Sequence, residues 1–104
     1  MRIEEFEKWL KKQNLTKNAI KDCLCRCKRV EKALSIDLDD EYKKDKGESV
    51  LTLLTYTPED TRNGKPVPGN FDFKPGTNIC FRFRDLKVST KKYFVFCRES
   101  NNND

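Results

Sequence analysis

The chain has 104 residues and a formal net charge of +5, so it can bury one hydrophobic core but not a core and an elaborate catalytic cleft together. It contains no histidine, which excludes the commonest general base, the Ser-His and Cys-His nucleophile pairs and zinc sites built from cysteine and histidine. No stretch reaches the roughly 20 apolar residues that span a bilayer, and the amphipathic start is unlike a signal peptide. We therefore expect a soluble cytoplasmic protein with no membrane partner, made of one domain (residues 1–99) and a disordered tail (residues 100–104).

Two amphipathic helices are predicted in the first third of the chain. The first should run from Arg2 or Ile3 to Lys12, because apolar residues recur there at helical spacing among charged ones. The second should follow Thr16, whose side chain is a suitable N-cap. Its apolar positions keep a helical spacing over about four turns, and they are Ile20, Cys23, Leu24, Cys27, Val30 and Leu34.

The middle of the chain is less regular. The charged stretch from Ser35 to Gly47 has room for a short helical turn, and Glu48 to Tyr56 should form a third helix of about two turns. Residues 57–77 are rich in proline and glycine, which neither a helix nor a central strand tolerates. So long a connection should be either functional or held in place by its own aromatic residues, Phe71 and Phe73.

Residues 79–97 admit two readings. As a helix, the segment places one set of residues on a single face, namely Ile79, Phe83, Leu86, Thr90, Tyr93, Phe94 and Cys97. As a β-hairpin, "ICFRFR" and "KYFVFC" alternate well and are rich in aromatic and β-branched residues. The predicted fold class is therefore all-α, a four-helix bundle with a long Pro/Gly loop before the last helix, with an α+β fold as the alternative.

The five cysteines predict neither a disulfide framework nor a metal site. Cys23 and Cys27 fall within the apolar arc of the second helix, whereas Cys25 points nearly the opposite way, so the three thiols cannot converge on one ion. The spacing of Cys80 and Cys97 completes no zinc pattern. We expect reduced thiols, with two of them acting as small core residues.

Carboxylates offer the other route to a metal. Six lie between residues 37 and 48, and they are Asp37, Asp39, Asp40, Glu41, Asp45 and Glu48. They lack the spacing of a calcium-binding loop, so a solvated charge run is the favoured interpretation over a divalent-cation enzyme. We predict no cofactor, no metal and no catalytic residue.

Charge is segregated along the chain. Residues 1–34 carry ten Lys/Arg against five Asp/Glu, residues 35–60 carry three against eight, and residues 61–104 carry nine against four. Opposite the apolar face of the second helix lie five cations, which we call the α2 stripe: Lys17, Lys21, Lys28, Arg29 and Lys32. If the last segment is helical, Arg84, Lys87, Lys91 and Arg98 form a second stripe beside its apolar face. Aligned cations without interleaved acids suit the phosphates of duplex DNA.

The motif order resembles a known DNA-binding module. "FEKWLKKQNLTKNAIKDCLCRCKRVEKAL" resembles the opening helix pair of the SAM-like core-binding domain of phage integrases and tyrosine recombinases, and "DLKVSTKKYFVFC" resembles its closing helix. Similar N-terminal modules occur on some restriction and HNH-type nucleases. The resemblance implies a four-helix domain that lays basic helices along DNA while a separate domain performs the chemistry. The implied DNA contacts are Lys21, Lys28, Arg29, Lys32, Lys87, Lys91 and Lys92.

The resemblance does not extend to catalysis. The arginine, histidine and tyrosine constellation of the recombinases has no counterpart, so Tyr42, Tyr56 and Tyr93 are not expected to act as nucleophiles. The prediction is a non-catalytic DNA-binding module, alone or as the N-terminal part of a DNA-processing enzyme. The alternative is a phage-type inhibitor or modulator of a nuclease or defence system, binding protein through the 57–77 loop or an apolar strip of Phe81, Val88 and Val95.

Overall fold

The computed structural model describes residues 1–101, which form six α-helices and no β-strand. The helices are α1 (Ile3–Lys12), α2 (Lys17–Leu34), α3 (Leu38–Asp45), α4 (Glu48–Leu53), α5 (Pro58–Arg62) and α6 (Ile79–Asn101). The all-α class is confirmed. The alternative of a β-hairpin over residues 79–97 is wrong, because α6 is continuous through that segment.

The first two helices have the predicted bounds, and local chemistry explains their ends. The Thr16 hydroxyl accepts a hydrogen bond from the backbone N–H of Ala19 (3.1 Å), which satisfies a donor that the first turn of α2 leaves without a partner. Ser35, in the left-handed conformation at φ 54°, ends α2 by donating its N–H to the last turn. The apolar spacing of α2 is reproduced, since Ile20, Cys23 and Val30 are buried.

The next two helices, α3 and α4, differ from the prediction. The turn expected in residues 35–47 is the eight-residue α3, which Asp37 caps by accepting the N–H of Asp39 (2.8 Å). The helix expected from Glu48 to Tyr56 ends earlier, at Leu53.

The 57–77 connection was predicted to exclude a helix, and that prediction is wrong for residues 58–62. Pro58 occupies the first helical position of α5, where its missing N–H costs nothing. Thr57 and Asp60 form a reciprocal capping box around that turn. With α3 and α5 added, the described residues contain two more helices than the predicted four.

Helix α6 is central and contacts α1, α2, α3 and α4. The contacts of Cys23 Sγ with the Ser89 carbonyl (3.9 Å) and of Arg26 with Asp85 (3.9 Å) show that α2 and α6 run antiparallel, because the later residue of α2 meets the earlier residue of α6. The predicted helical face of α6 is in the core, with only Ile79 partly exposed. Ser100 and Asn101 continue α6, although the sequence placed them in the tail. Residues 102–104 of that predicted tail lie outside the described residues.

Aromatic side chains fix the long connection to the bundle. The rings of Phe71 and Phe73 stack on each other and meet the edge of buried Phe83, with ring centroids 5.3 and 5.5 Å from it. The N–H of Asn70 donates to the carbonyl of Ala33 (2.8 Å), near the end of α2. The connection is therefore pinned by its own aromatics, one of the two outcomes expected for it.

Candidate nucleic-acid interface

Helix α2 separates its apolar and cationic residues onto opposite sides. Cys23, Cys27 and Val30 are buried against the rest of the bundle. All five members of the α2 stripe are exposed. From Lys17 to Lys32 the stripe extends about 22 Å at the helical rise of 1.5 Å per residue. The helix therefore presents a cationic ridge to solvent.

No member of the α2 stripe has a carboxylate within ion-pair distance in the described part of the chain. Of the two acids of α2, Asp22 is exposed close to Arg29 around the helix but seven residues from it along the chain, and Glu31 turns inward to the amino group of Met1 (3.4 Å). Arg26, which is not in the stripe, pairs with Asp85. The stripe thus keeps its charge for an external anion.

Arg29 differs from the four lysines because aromatic rings support it. Its guanidinium carbon lies 4.9 Å from the ring centroid of Phe73 and 6.0 Å from that of Phe71. A guanidinium over a ring face gains a modest electrostatic attraction and stays oriented. Arg29 is therefore the most preorganised member of the stripe.

The cations predicted on α6 lie on a different side of the molecule. Asp85 and Ser89 face α2, whereas Arg84, Lys87 and Lys91 lie between 100° and 160° around α6 from Asp85 at about 100° per residue. Lys87 is half-buried on the flank nearest α4 and donates to the Thr55 hydroxyl (2.7 Å). The two predicted stripes do not merge into one cationic surface. Lys92, carried over from the resemblance, is half-buried near Cys23.

The apolar strip predicted on α6 is only partly exposed. Phe81 and Val88 are 59 % and 51 % exposed, but Val95 is half-buried. Of the 57–77 loop, the rings of Phe71 and Phe73 are committed to packing on Phe83. An external protein therefore has Phe81 and Val88 available, but not the whole strip.

The thiols lie where the helical wheel placed them. Cys23 and Cys27 are buried with their sulfurs directed at the Ser89 carbonyl, and Cys25 is exposed among the lysines. The hydrogen bond with Cys23, together with burial, raises the pKa of Cys27. Within residues 1–101 no group of three or more cysteines and carboxylates is arranged to hold a metal ion.

Much of the acidic segment is used internally rather than left as a solvated run. Asp39 accepts hydrogen bonds from the Tyr93 hydroxyl (2.7 Å) and from Arg2 Nε (3.3 Å). Burial alone would raise the pKa of Asp39, but the Tyr93 hydrogen bond and the Arg2 charge outweigh burial and lower it. Asp37 caps α3, and Asp45 accepts from Gly47 and Ser49. No sequence pattern predicted the Asp39–Tyr93–Arg2 network, because its members come from three distant parts of the chain.

The three tyrosines occupy structural positions. Tyr93 is fully buried and bound to Asp39, and Tyr56 donates its hydroxyl to the Lys65 carbonyl (2.6 Å). Tyr42 stacks on Phe94. Neither of the two buried hydroxyls is presented to a substrate.

The geometry defines a small helical protein with one polar cationic ridge and a separate face carrying exposed apolar residues. None of the helices in residues 1–101 combines the length and apolar character needed to cross a bilayer. Comparison with known protein families, with curated proteins and with solved structures found no match to the chain.

Proposed function

We propose that this chain is a non-catalytic DNA-binding module that lays α2 along the phosphates of a duplex. It acts in the cytoplasm, alone or as the N-terminal part of a DNA-processing enzyme. The observation that carries the proposal is the α2 stripe: five exposed cations on one side of a helix, with no carboxylate partner in the described residues.

The length and composition of the stripe suit a DNA backbone. Its extent of about 22 Å corresponds to about six base pairs at 3.4 Å per step, so several phosphates lie within reach of one helix face. Each contact between a cation and a phosphate releases condensed counterions, which favours binding without reading sequence. Arg29 is held in place over the Phe73 ring, so its guanidinium is oriented to donate two parallel hydrogen bonds to one phosphate.

The resemblance to the SAM-like domain supports the same assignment. On that reading α1 and α2 are the opening helix pair and α6 is the closing helix, while α3 and α5 are additions to the four-helix plan. We assign the duplex to α2 and not to α6, because the side of α6 that carries Arg84 also exposes Phe81 and Val88. Large exposed apolar side chains are poor neighbours for phosphates and good ones for protein.

The test is the salt dependence of duplex binding, measured by fluorescence anisotropy. If all five cations contact phosphate, a plot of log Kd against log salt concentration should have a slope of about 4.5. Kd should then rise about 500-fold between 50 and 200 mM salt. Changing Lys21, Lys28 and Lys32 to Gln leaves two contacts, and Kd should then rise only about 12-fold over the same range of salt concentration. The reduced slope follows from fewer released counterions.

The matched control changes Lys43, Lys44 and Lys46 to Gln. These three lysines are also exposed and their loss alters the net charge equally, but they lie on or just after α3. This variant should keep the wild-type slope. The proposal fails if the wild type does not bind duplex at low salt, or if a folded α2 variant keeps the full slope. Stronger binding to double-stranded RNA than to DNA would also reject the choice of DNA.

One observation favours the second candidate, a phage-type protein-binding inhibitor or modulator. Phe81 and Val88 are seven residues apart, so they lie on the same side of α6 and expose apolar surface together. A packed protein interface depends on salt much less steeply than phosphate contacts do. Duplex binding with the steep salt dependence given above therefore favours the first candidate, and the absence of duplex binding at low salt favours the second.

A further inference from the structure

A groove follows one side of the first three turns of α6. Its larger part, about 600 Å³, lies between the start of α6 and the segment that contains α5. A smaller part of about 220 Å³ adjoins it towards the end of α4. Tyr56, Cys80 and Arg84 line both parts, so they form one continuous depression. From Ile79 to Val88 the groove extends about 14 Å along α6.

The groove has an apolar floor and a cationic rim. Tyr56, Pro58 and Ile79 contribute apolar surface to its larger part. Arg62 and Arg84 line the larger part, and Lys87 lines the smaller one. Among the described residues that line either part, none is acidic. An occupant of complementary chemistry must therefore bring both apolar groups and negative charge.

Exposed apolar side chains mark both parts of this groove. Phe81, 59 % exposed, lines the larger part, and Val88, 51 % exposed, lines the smaller one. They are among only four large apolar side chains left exposed in the described part of the chain. Apolar surface kept in water beside a depression is typical of an interaction site.

We propose that this groove binds a short acidic segment of a partner protein. Its apolar side chains would enter the floor beside Phe81 and Val88, and its carboxylates would pair with Arg62 and Arg84. A length of about 14 Å accommodates about four extended residues or two and a half helical turns. The proposal does not depend on DNA binding by α2, because the groove is on a different side of the bundle.

A single-stranded nucleic acid fits this site less well. Such strands are held by successive aromatic platforms on which neighbouring bases stack. Here Phe81 is the exposed ring, whereas Tyr56 is 8 % exposed and its hydroxyl is bound to the Lys65 carbonyl. One platform beside an apolar floor favours aliphatic and aromatic side chains of a peptide over a row of bases.

The experiment selects ligands from displayed random peptides of about 12 residues on the immobilised full chain. The enriched peptides should combine Asp or Glu with two or more large apolar residues. A synthetic consensus peptide is then titrated by fluorescence anisotropy against the wild type, Arg84→Glu and Val88→Glu. Both side chains are exposed, so both variants should keep the wild-type circular dichroism. Each should weaken binding at least about tenfold, as expected at the centre of an interface.

The control is Lys28→Glu, a charge reversal on α2 that should leave peptide affinity unchanged while weakening duplex binding. The proposal is overturned if no peptide is enriched or if the enriched peptides lack acidic residues. It is also overturned if neither Arg84→Glu nor Val88→Glu weakens binding of the consensus peptide. It is also overturned if a labelled oligothymidine binds the groove and Arg84→Glu abolishes that binding. A concentration-dependent dimer that Val88→Glu dissociates would instead assign the groove to a second copy of this chain.

Discussion

The Asp39 carboxylate ties together the start of α1, α3 and α6, and its removal should be costly. It accepts from the Tyr93 hydroxyl at 2.7 Å and from Arg2 Nε at 3.3 Å, and its second oxygen lies 3.6 Å from the Met1 amino group. The Tyr93 hydroxyl in turn accepts the backbone N–H of Arg2 (2.9 Å). Burial alone would lower the pKa of the Met1 amino group, but Coulomb attraction from Glu31, Asp37 and Asp39 outweighs burial and raises that pKa.

The change Asp39→Asn keeps the side-chain shape and removes the charge. The amide oxygen of the variant can still accept from buried Tyr93, but replacing a charged acceptor by a neutral one loses about 1–1.5 kcal/mol, and each of the two partly exposed ion pairs adds about 0.2–1. We expect a loss of about 2–3 kcal/mol at pH 7. For 104 residues the unfolding entropy is about 0.22 kcal/mol/K, so Tm should fall by about 9–14 °C.

The pH dependence has a definite sign. Because the pKa of Asp39 is lower in the folded than in the unfolded chain, its contribution is fully present above the ordinary carboxyl pKa of about 4. The contribution disappears as the pH falls through the folded pKa. The difference between the wild type and Asp39→Asn should therefore shrink when urea unfolding is repeated near pH 3.

Urea unfolding followed by far-UV circular dichroism measures both quantities. Asp40→Asn is the control, because Asp40 is the exposed neighbour and its side chain accepts no hydrogen bond from the described residues. It should leave stability unchanged at both pH values. An Asp39→Asn variant as stable as the wild type at pH 7, or equally impaired at both pH values, would refute the reasoning.

Three further substitutions or modifications have definite outcomes. Gly47→Ala should lower the free energy of unfolding in urea by about 2–4 kcal/mol, because Gly47 has φ 82° and a Cβ there would overlap the Phe94 ring. Gly64→Ala is the control: Gly64 also has a positive φ but open space around it, so the loss should be only about 1–2 kcal/mol. Thr90→Val should raise Tm by a few degrees, since the Thr90 hydroxyl is buried without a partner in the described residues; an unchanged or lower Tm would contradict this. Exposed Cys25 should react with a thiol reagent in the native protein, and the three buried thiols should react only after unfolding, which a mass-resolved time course would show.

The sequence predicted α2 well because local and tertiary preferences agree there. Thr16 supplies a cap, the apolar residues keep one helical spacing, and the cations fill the opposite side, so no competing structure satisfies the pattern. The α2 stripe, identified from this spacing, is exposed as expected. For α6 the residue pattern fits both a helix and two strands, since "FRFR" and "FVFC" alternate as strands do. Burial of Leu86, Tyr93 and Cys97 against four other helices decides for the helix.

Two features depended on information that a local pattern does not carry. A proline inside a helix breaks it, but at the first helical position Pro58 is compatible with α5, and Thr57 and Asp60 around it form a capping box that starts the helix. The groove beside Phe81 could not be predicted, because its walls come from separate segments and Arg62 belongs to a helix that was not expected. Likewise, Asp39 meets Tyr93 across 54 positions of sequence.

The position of α6 in the bundle bears on how the chain reaches its fold during synthesis. The sulfur of Cys27 meets its Ser89 partner across 62 residues, and Phe6 packs on Tyr93 from the opposite end of the chain. Until α6 has left the ribosome, the apolar sides of α1, α2 and α4 lack the helix against which they pack. Such distant pairings must wait for the closure of a long loop, so the nascent chain should gain its cooperative stability late and in one step.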